Sequence, residues 1–427
     1  MRVSTSLLAQ TAIDAMNEQR VKLSLSQMQV STGRKIIAPA DDPYNSGRAL
    51  YLTETVSIIS QYTENSTFAQ IRNQLEEGTL DAAVSAVQRI RELAVYANND
   101  THSVESRKSI REEVIRLRDQ ILSLANTTDS ANEFLFAGYQ GNTKPFIKDG
   151  FGNVQYFGDD GQRYLQVGSA TEIAAGDPGS GVFVNIRNGN GTFQTQEDAA
   201  NTGTGIIDTG TVIGSYVPGN YTIGFMSPTA PTPGPNNPNE YYVLDSNGLI
   251  IEPAASVGMT EVAFLGSGNP GIPYPDASVI QGLDTLGMQV MVEGDPAPGD
   301  KFYLTPSSNQ SLFNTIQNFL NTLISPQTSE PDSAHFHNAM NRVLADLDQG
   351  LNNLTDIRAR IGARLRIVDR QVEINETYQL QMKTTLSSIE DVDYAEAITR
   401  MNLEMVGLQA AQQSYSKIQN LSLFNYI

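Results

Sequence analysis

Between Phe336 and Glu390 the apolar residues keep a seven-residue repeat, and no other feature of the chain limits its fold as strongly. Met340, Leu347, Leu354, Ile361, Val368, Met382 and Ile389 share one heptad position, interrupted by Asn375. Leu344, Leu351, Leu365, Val372 and Leu386 share the companion position, interrupted by Arg358 and Gln379. Such a seam is a helix that has to bury one narrow stripe against other helices. At 1.5 Å per residue it runs about 80 Å, more than a compact domain is wide, so an elongated protein is expected.

The partner stripes lie at the opposite end of the chain. Ala9, Ile13, Met16, Leu23 and Val30 recur at helical spacing from Ser4 to about Thr32, where Gly33 offers a left-handed terminus. A second helix is expected from Pro43 through Leu50, Val56, Ile59 and Tyr62 to at least Leu75, with a break near Gly78. Further helical stretches carry Val84, Val87, Ile90 and Leu93 and, after a polar turn at 98–103, Ile110, Val114, Leu117, Ile121 and Leu124. Around Ser388 to Tyr394 the heptad phase changes. A new stripe then runs through Tyr394, Met401, Leu408 and Tyr415, with Ile398 and Met405 beside it.

Residues 147–310 hold most of the glycines and prolines, and their apolar residues alternate or come in short runs. Strands are expected at 154–158, 163–168, 221–226, 241–251 and 300–305, with a hairpin turn at the DSNG of 245–248. The proline-rich stretch 228–240 cannot pair in a central strand and reads as a surface loop. The fold class is therefore α+β, with long antiparallel helices made from both chain ends and an inserted β-rich domain. The expected division is 1–42 with 391–427 as a terminal helical domain, 43–170 with 305–390 as a helical rod, and 171–304 as the insert. Neither terminal stripe can stay in water, so the two ends should meet.

Composition removes several function classes. Lys and Arg number 28 against 47 Asp and Glu, a formal net charge of -19, which repels nucleic acid and anionic membrane surfaces. Without cysteine there is no disulfide, thiolate metal site or thiol nucleophile. Gln10, Thr11 and Asp14 interrupt the first apolar stretch, so a cleavable secretory signal is not expected.

Two places invite a chemical reading. Asp41 and Asp42 lie between Pro39 and Pro43, and a carboxylate pair could serve as general acid and base. Sequence neighbours seldom face one reaction centre, however, and Asp followed by Pro is what a helix start requires. The aspartate accepts from exposed N–H groups of Tyr44 or Asn45, and proline at the first helical position loses no donor it needed. Gly33, Pro39, Asp41, Asp42 and Pro43 thus read as a structural hinge. His335 and His337 could present two imidazoles to a metal, but no third ligand accompanies them, and a polar helix entry is the better reading. The glycine-rich pieces at 188–192 and 266–271 read as turns, and GDDGQR at 158–163 fits a hairpin better than a calcium loop.

What remains is the apolar terminal stripes, too small to be stable as a two-helix unit and of the kind that orders on assembly. Leu8, Ile13, Met16, Leu23, Ile398, Met401, Met405, Leu408, Tyr415, Leu421, Leu423 and Phe424 are the expected subunit-interface residues. STGRKIIAPADDP at 31–43, after an amphipathic first helix, resembles the flagellin superfamily of bacterial flagellar axial proteins. MRVST at the start, ADDPYNSGRAL at 40, EFLFAGYQGNTKPF at 133–146, GDPAPGDKFYL at 294, IGARL at 361 and SLFNYI at the end are similar to its hook-associated junction branch rather than to filament subunits. The resemblance covers about 1–170 and 290–427.

That resemblance implies a structural, non-enzymatic part with no cofactor and no metal. It implies a ring of copies between the first hook-associated protein (FlgK) on the cell side and flagellin on the distal side. Export would run through the flagellar type III apparatus to an extracellular position, with an export chaperone as a further partner. Terminal helices would form the inner tube and the β-rich insert would face solvent.

Overall fold

The structure, a computed structural model, describes residues 5–99, 104–150, 152–226, 240–252, 262–263, 277–280, 282–327 and 329–420. Among these residues six α-helices are formed: α1 (Thr5–Thr32), α2 (Pro43–Ala97), α3 (Val104–Ala125), α4 (Leu312–Thr322), α5 (Glu330–Glu390) and α6 (Tyr394–Asn420). Short strands occupy the stretch between α3 and α4. The chain is thus α+β, with helices from both ends and a β-rich middle.

It divides into two compact units, Met1–Thr67 with Gln166–Thr171 and Asp369–Ile427, and Phe68–Leu165 with Glu172–Val368. In the first unit α1 packs along α6, and both sit with the start of α2 and the end of α5. Asn375, one interruption in the heptad seam, is buried here, where its Nδ2 donates to the Val167 carbonyl at 2.9 Å. Gln371 Nε2 donates in turn to Asn375 Oδ1 at 2.9 Å. A polar residue at a seam position gives up apolar burial and in return pins one loop to one register.

In the second unit the heptad stripe does what its spacing requires. Met340, Leu347, Leu354 and Ile361 are buried in one core with Leu80, Val87 and Ile90 of α2, Ile110 and Val114 of α3, and Ile316 and Phe319 of α4. Arg358, a second of the three interruptions, reaches out to Glu77 (2.7 Å) and Asp81 (2.8 Å). Phe136, Phe146, Phe183 and Phe313 close one end of this core, with Phe183 edge-on to Phe136 and Phe146 at 5.3 and 5.5 Å.

A second apolar core belongs to the sheet. Strand Tyr221–Met226 pairs antiparallel with Glu240–Leu244 on one side and with Lys301–Pro306 on the other, and Lys301–Pro306 pairs with Phe193–Glu197. Phe193, Ile223, Val243, Phe302 and Leu304 are buried beneath it. The chain enters and leaves this region at the paired strands Ile186–Arg187 and Asn309–Gln310. The DSNG turn forms as expected, with Gly248 at φ 76° and the Asp245 carboxylate accepting from the N–H groups of Asn247 and Leu249, both at 2.8 Å.

Two expectations are corrected. Helix α2 runs unbroken through Gly78, because flanking Leu80 and Ala83 are fully buried and packing outweighs the roughly 1 kcal/mol cost of a helical glycine. Residues 158–163 do not make a hairpin: Val154–Tyr156 pairs with Phe146–Lys148, whereas Tyr164–Gln166 pairs with Glu172–Ala174. Asp159 instead ties the connector down, accepting from the N–H groups of Tyr139 (2.9 Å) and Gly161 (2.7 Å). Helix α4 ahead of the heptad seam is a separate element, started by Ser311, whose Oγ accepts from Asn314 N. The 228–239 loop and the 266–271 turn lie outside the described residues.

Candidate assembly site

The site is built from the helix pair α1 and α6 and the two connectors that join it to α2 and α5. Helix α1 stops at Gly33, whose φ of 71° lets its N–H reach back to the Gln29 carbonyl at 2.9 Å. A side chain there would meet strain and the Tyr394 hydroxyl, 2.8 Å from where its Cβ would lie. The two connectors run antiparallel: Lys35 N donates to the Glu390 carbonyl (2.6 Å), Val392 N donates to the Gly33 carbonyl (2.9 Å), and Arg34 bridges Asp391. Gln29 closes the corner, its Nε2 donating to the Lys35 carbonyl at 2.7 Å and its Oε1 accepting from Arg400 at 2.8 Å.

Asp41 and Asp42 have separate duties in this joint. Asp41 Oδ2 accepts from the N–H groups of Ile37 (3.2 Å) and Ala38 (2.9 Å), tightening the turn around the exposed Pro39. Asp42 caps α2: its Oδ1 accepts from Asn45 N at 3.0 Å and its Oδ2 from Asn45 Nδ2 at 2.6 Å, with Pro43 opening the helix. Those hydrogen bonds from Asn45 hold the Asp42 carboxyl below its usual range. Asp393 plays the same part for α6, accepting from Ala395 N (2.9 Å) and Glu396 N (3.2 Å). Sequence reading missed Asp393, although its place just before the resumed stripe was a cap signal.

The helix pair is antiparallel, with Gln19 opposite Glu404 and Gly407, and Gln29 opposite Arg400. Its buried side chains include the small Ser26 and Ala397. Ile13, Met16 and Leu23 of α1, and Met401, Leu408 and Tyr415 of α6, are half-buried. Ile398 and Met405 are exposed, and so are Val21 and Leu403, each at 69%, and Val406 at 63%. The side chain of Leu8 and residues Leu421, Leu423 and Phe424 lie outside the described residues. Only small side chains are thus fully buried in the pair, the larger ones of the seam are half-covered, and further large apolar residues face outward. Sequence reading did not single out Val21, Leu403 and Val406, because they fall off the stripe that the heptad spacing selects.

The histidines diverge. His335 Nδ1 meets Glu197 Oε2 at 3.0 Å, while His337 Nδ1 meets Asn98 Oδ1 at 2.8 Å. Among the described residues no group of three metal-ligating side chains forms, and no helix is long and apolar enough to cross a membrane.

The chain is similar to known proteins. The bacterial flagellin N-terminal helical region matches residues 3–141, and the bacterial flagellin C-terminal helical region matches residues 344–427. FlgL of Xanthomonas campestris is 31% identical, with a TM-score of 0.67 over 79% of this chain and 99% of that one. The chain belongs to the FlgL, or hook-associated protein 3, family. Hook-associated protein-3 of Legionella pneumophila is 30% identical, with a TM-score of 0.71 over 79% of this chain and 98% of that one. Flagellar hook-associated protein 3 of Escherichia coli is 34% identical over 186 residues, which are 44% of this chain and 58% of that relative's length. The motif at 31–43 lies inside the matched amino-terminal region, and the one at 133–146 begins inside it and runs past its end.

Proposed function

We propose that the chain is a junction subunit of the bacterial flagellum, assembling as a ring of copies between hook-associated and filament proteins. The supporting observation is the apolar surface left uncovered on the α1/α6 pair, with Val21, Leu403 and Val406 in water. At about 25 cal/mol per Å² of apolar surface, covering these residues with neighbouring subunits gives the assembly a driving force that the monomer lacks. In this reading the paired ends form the inner tube, and the antiparallel connectors around Asp41, Asp42 and Asp391 set the angle at which the remaining helices leave it. FlgK is the partner on the cell side and flagellin on the distal side. The subunit reaches the cell exterior through the flagellar export apparatus with its amino terminus uncleaved, and a chaperone holds the apolar ends before assembly.

Deleting the gene in its own motile host tests this. Electron microscopy should show hooks without filaments and flagellin shed into the medium, both reversed by the intact chain. Normal-length filaments in the deletion strain would overturn the junction role and favour a filament-subunit role.

A further inference from the structure

Strand Phe193–Glu197, α4 and α5 enclose a polar cleft of about 490 Å³ whose walls are almost free of apolar side chains. Arg342 lines it. Among the described residues this guanidinium makes no ion pair or hydrogen bond, and its Nη1 is buried without a partner. The two nearest carboxylates are engaged elsewhere. Glu197 Oε2 accepts from Asn338 (2.6 Å) and meets His335 (3.0 Å). Asp346 accepts from Gly189 N and from Gln310 Nε2, both at 2.8 Å. Burial pushes the carboxyls of Glu197 and Asp346 up, and the charge of Arg342 pulls both back down, so the three groups share one partly buried cluster.

Arg342 is half-buried, so an arginine nitrogen left without a hydrogen bond costs free energy while the rest of its guanidinium can still take a ligand from the cleft. Its planar donors fit a carboxylate in two-pronged fashion. Gln196 and Asn318 line the same cleft, are exposed, and carry carboxamides with no hydrogen bond to any described residue. Amides of this kind donate to and accept from hydroxyl groups. The volume falls within the range of small-molecule sites, and the scarcity of apolar lining excludes a lipid or an aromatic ligand.

We propose that this cleft binds a small hydroxylated carboxylate of the sugar-acid class, with Arg342 on the carboxylate and Gln196 and Asn318 on the hydroxyls. The proposal is independent of the junction role.

Saturation-transfer NMR and calorimetry on the full chain with D-glucuronate, D-glucose and acetate test it. Glucuronate should bind with a Kd of about 1 mM or tighter, and glucose and acetate each at least about tenfold more weakly. Arg342→Met should weaken glucuronate at least about tenfold. The double variant Gln196→Ala/Asn318→Ala alters exposed side chains only and should weaken it severalfold with the thermal midpoint unchanged. No transfer to glucuronate at about 10 mM would overturn the proposal. So would glucose or acetate binding equally well, or unchanged affinity in the double variant, which alone decides the matter if Arg342→Met fails to fold.

Discussion

Two buried or capping carboxylates show how far a single residue can act. Asp42→Ala removes the acceptor for Asn45 N and leaves the first turn of α2 to water. Hydrogen exchange at Asn45 and Ser46 should quicken, while the thermal midpoint of the Phe68–Val368 unit stays put. Because hydrogen bonds lower the Asp42 carboxyl, the cap is complete at neutral pH and is lost as acidification passes through that lowered value.

Glu76 behaves in the opposite way. It is buried beside Asp177, whose N–H it receives on Oε1 at 3.0 Å, while its Oε2 has no partner among the described residues. Arg364 grips Asp177 at 2.7 and 2.8 Å, leaving Glu76 less countercharge than it needs. Burial first, and then the charge on Asp177, push the Glu76 carboxyl up to about 8. A raised carboxyl favours the folded state in full below the unfolded value near 4.5, and that contribution is lost as pH rises to about 8. The unfolding midpoint of wild-type protein should therefore fall across this window. Glu76→Gln should flatten the dependence and be the more stable form at the alkaline end, measured by denaturant titration at several pH values.

At the scale of elements, the distinction that matters is between seam and outer face in the α1/α6 pair. Leu403→Lys and Val406→Lys alter exposed positions, so monomer stability should change by no more than about 0.5 kcal/mol while incorporation into filaments is lost. Met401→Lys and Leu408→Lys strike the half-buried seam. They too should block incorporation, with the second unit still folded, and should also hasten proteolysis within residues 5–32 and 394–420. Wild-type-level incorporation of all four variants would show that this pair is not an assembly surface. The same seam-and-face logic was legible in α5, where the heptad spacing correctly selected Met340, Leu347, Leu354 and Ile361 as core. It was less legible in α1 and α6, whose apolar residues are spread around the helix and match no single stripe.

At the scale of the whole molecule, the two apolar cores of the second unit belong to different stretches of chain. Among the described residues, 190–306 contribute to the sheet core and none of them to the helical one. They leave and return at the pairing of Ile186–Arg187 with Asn309–Gln310, reinforced by Asn188 N donating to the Ser308 carbonyl at 3.0 Å. Replacing 190–306 by a short Gly-Ser turn should keep one cooperative unfolding transition and still support filament assembly, read by calorimetry and electron microscopy. Loss of cooperative unfolding would mean that the helical core depends on the sheet.

Local and periodic signals sufficed for much of this protein. The heptad seam, Gly33 at the end of α1, the Asp42–Pro43 start of α2, the phase change before Tyr394 and the DSNG hairpin each depend on neighbours within a turn or two, so sequence spacing alone determined them. Tertiary structure decided what distant residues do to one another. Gly78 is held in a helix by packing, Asn375 in the seam is answered by the Val167 carbonyl, and Arg342 makes no hydrogen bond among the described residues while Glu197 and Asp346 make theirs elsewhere. It also decided that Val21, Ile398, Leu403, Met405 and Val406 of α1 and α6 remain in water. Helical spacing says that a residue is apolar and on which side it lies; only the path of the rest of the chain determines whether anything covers it.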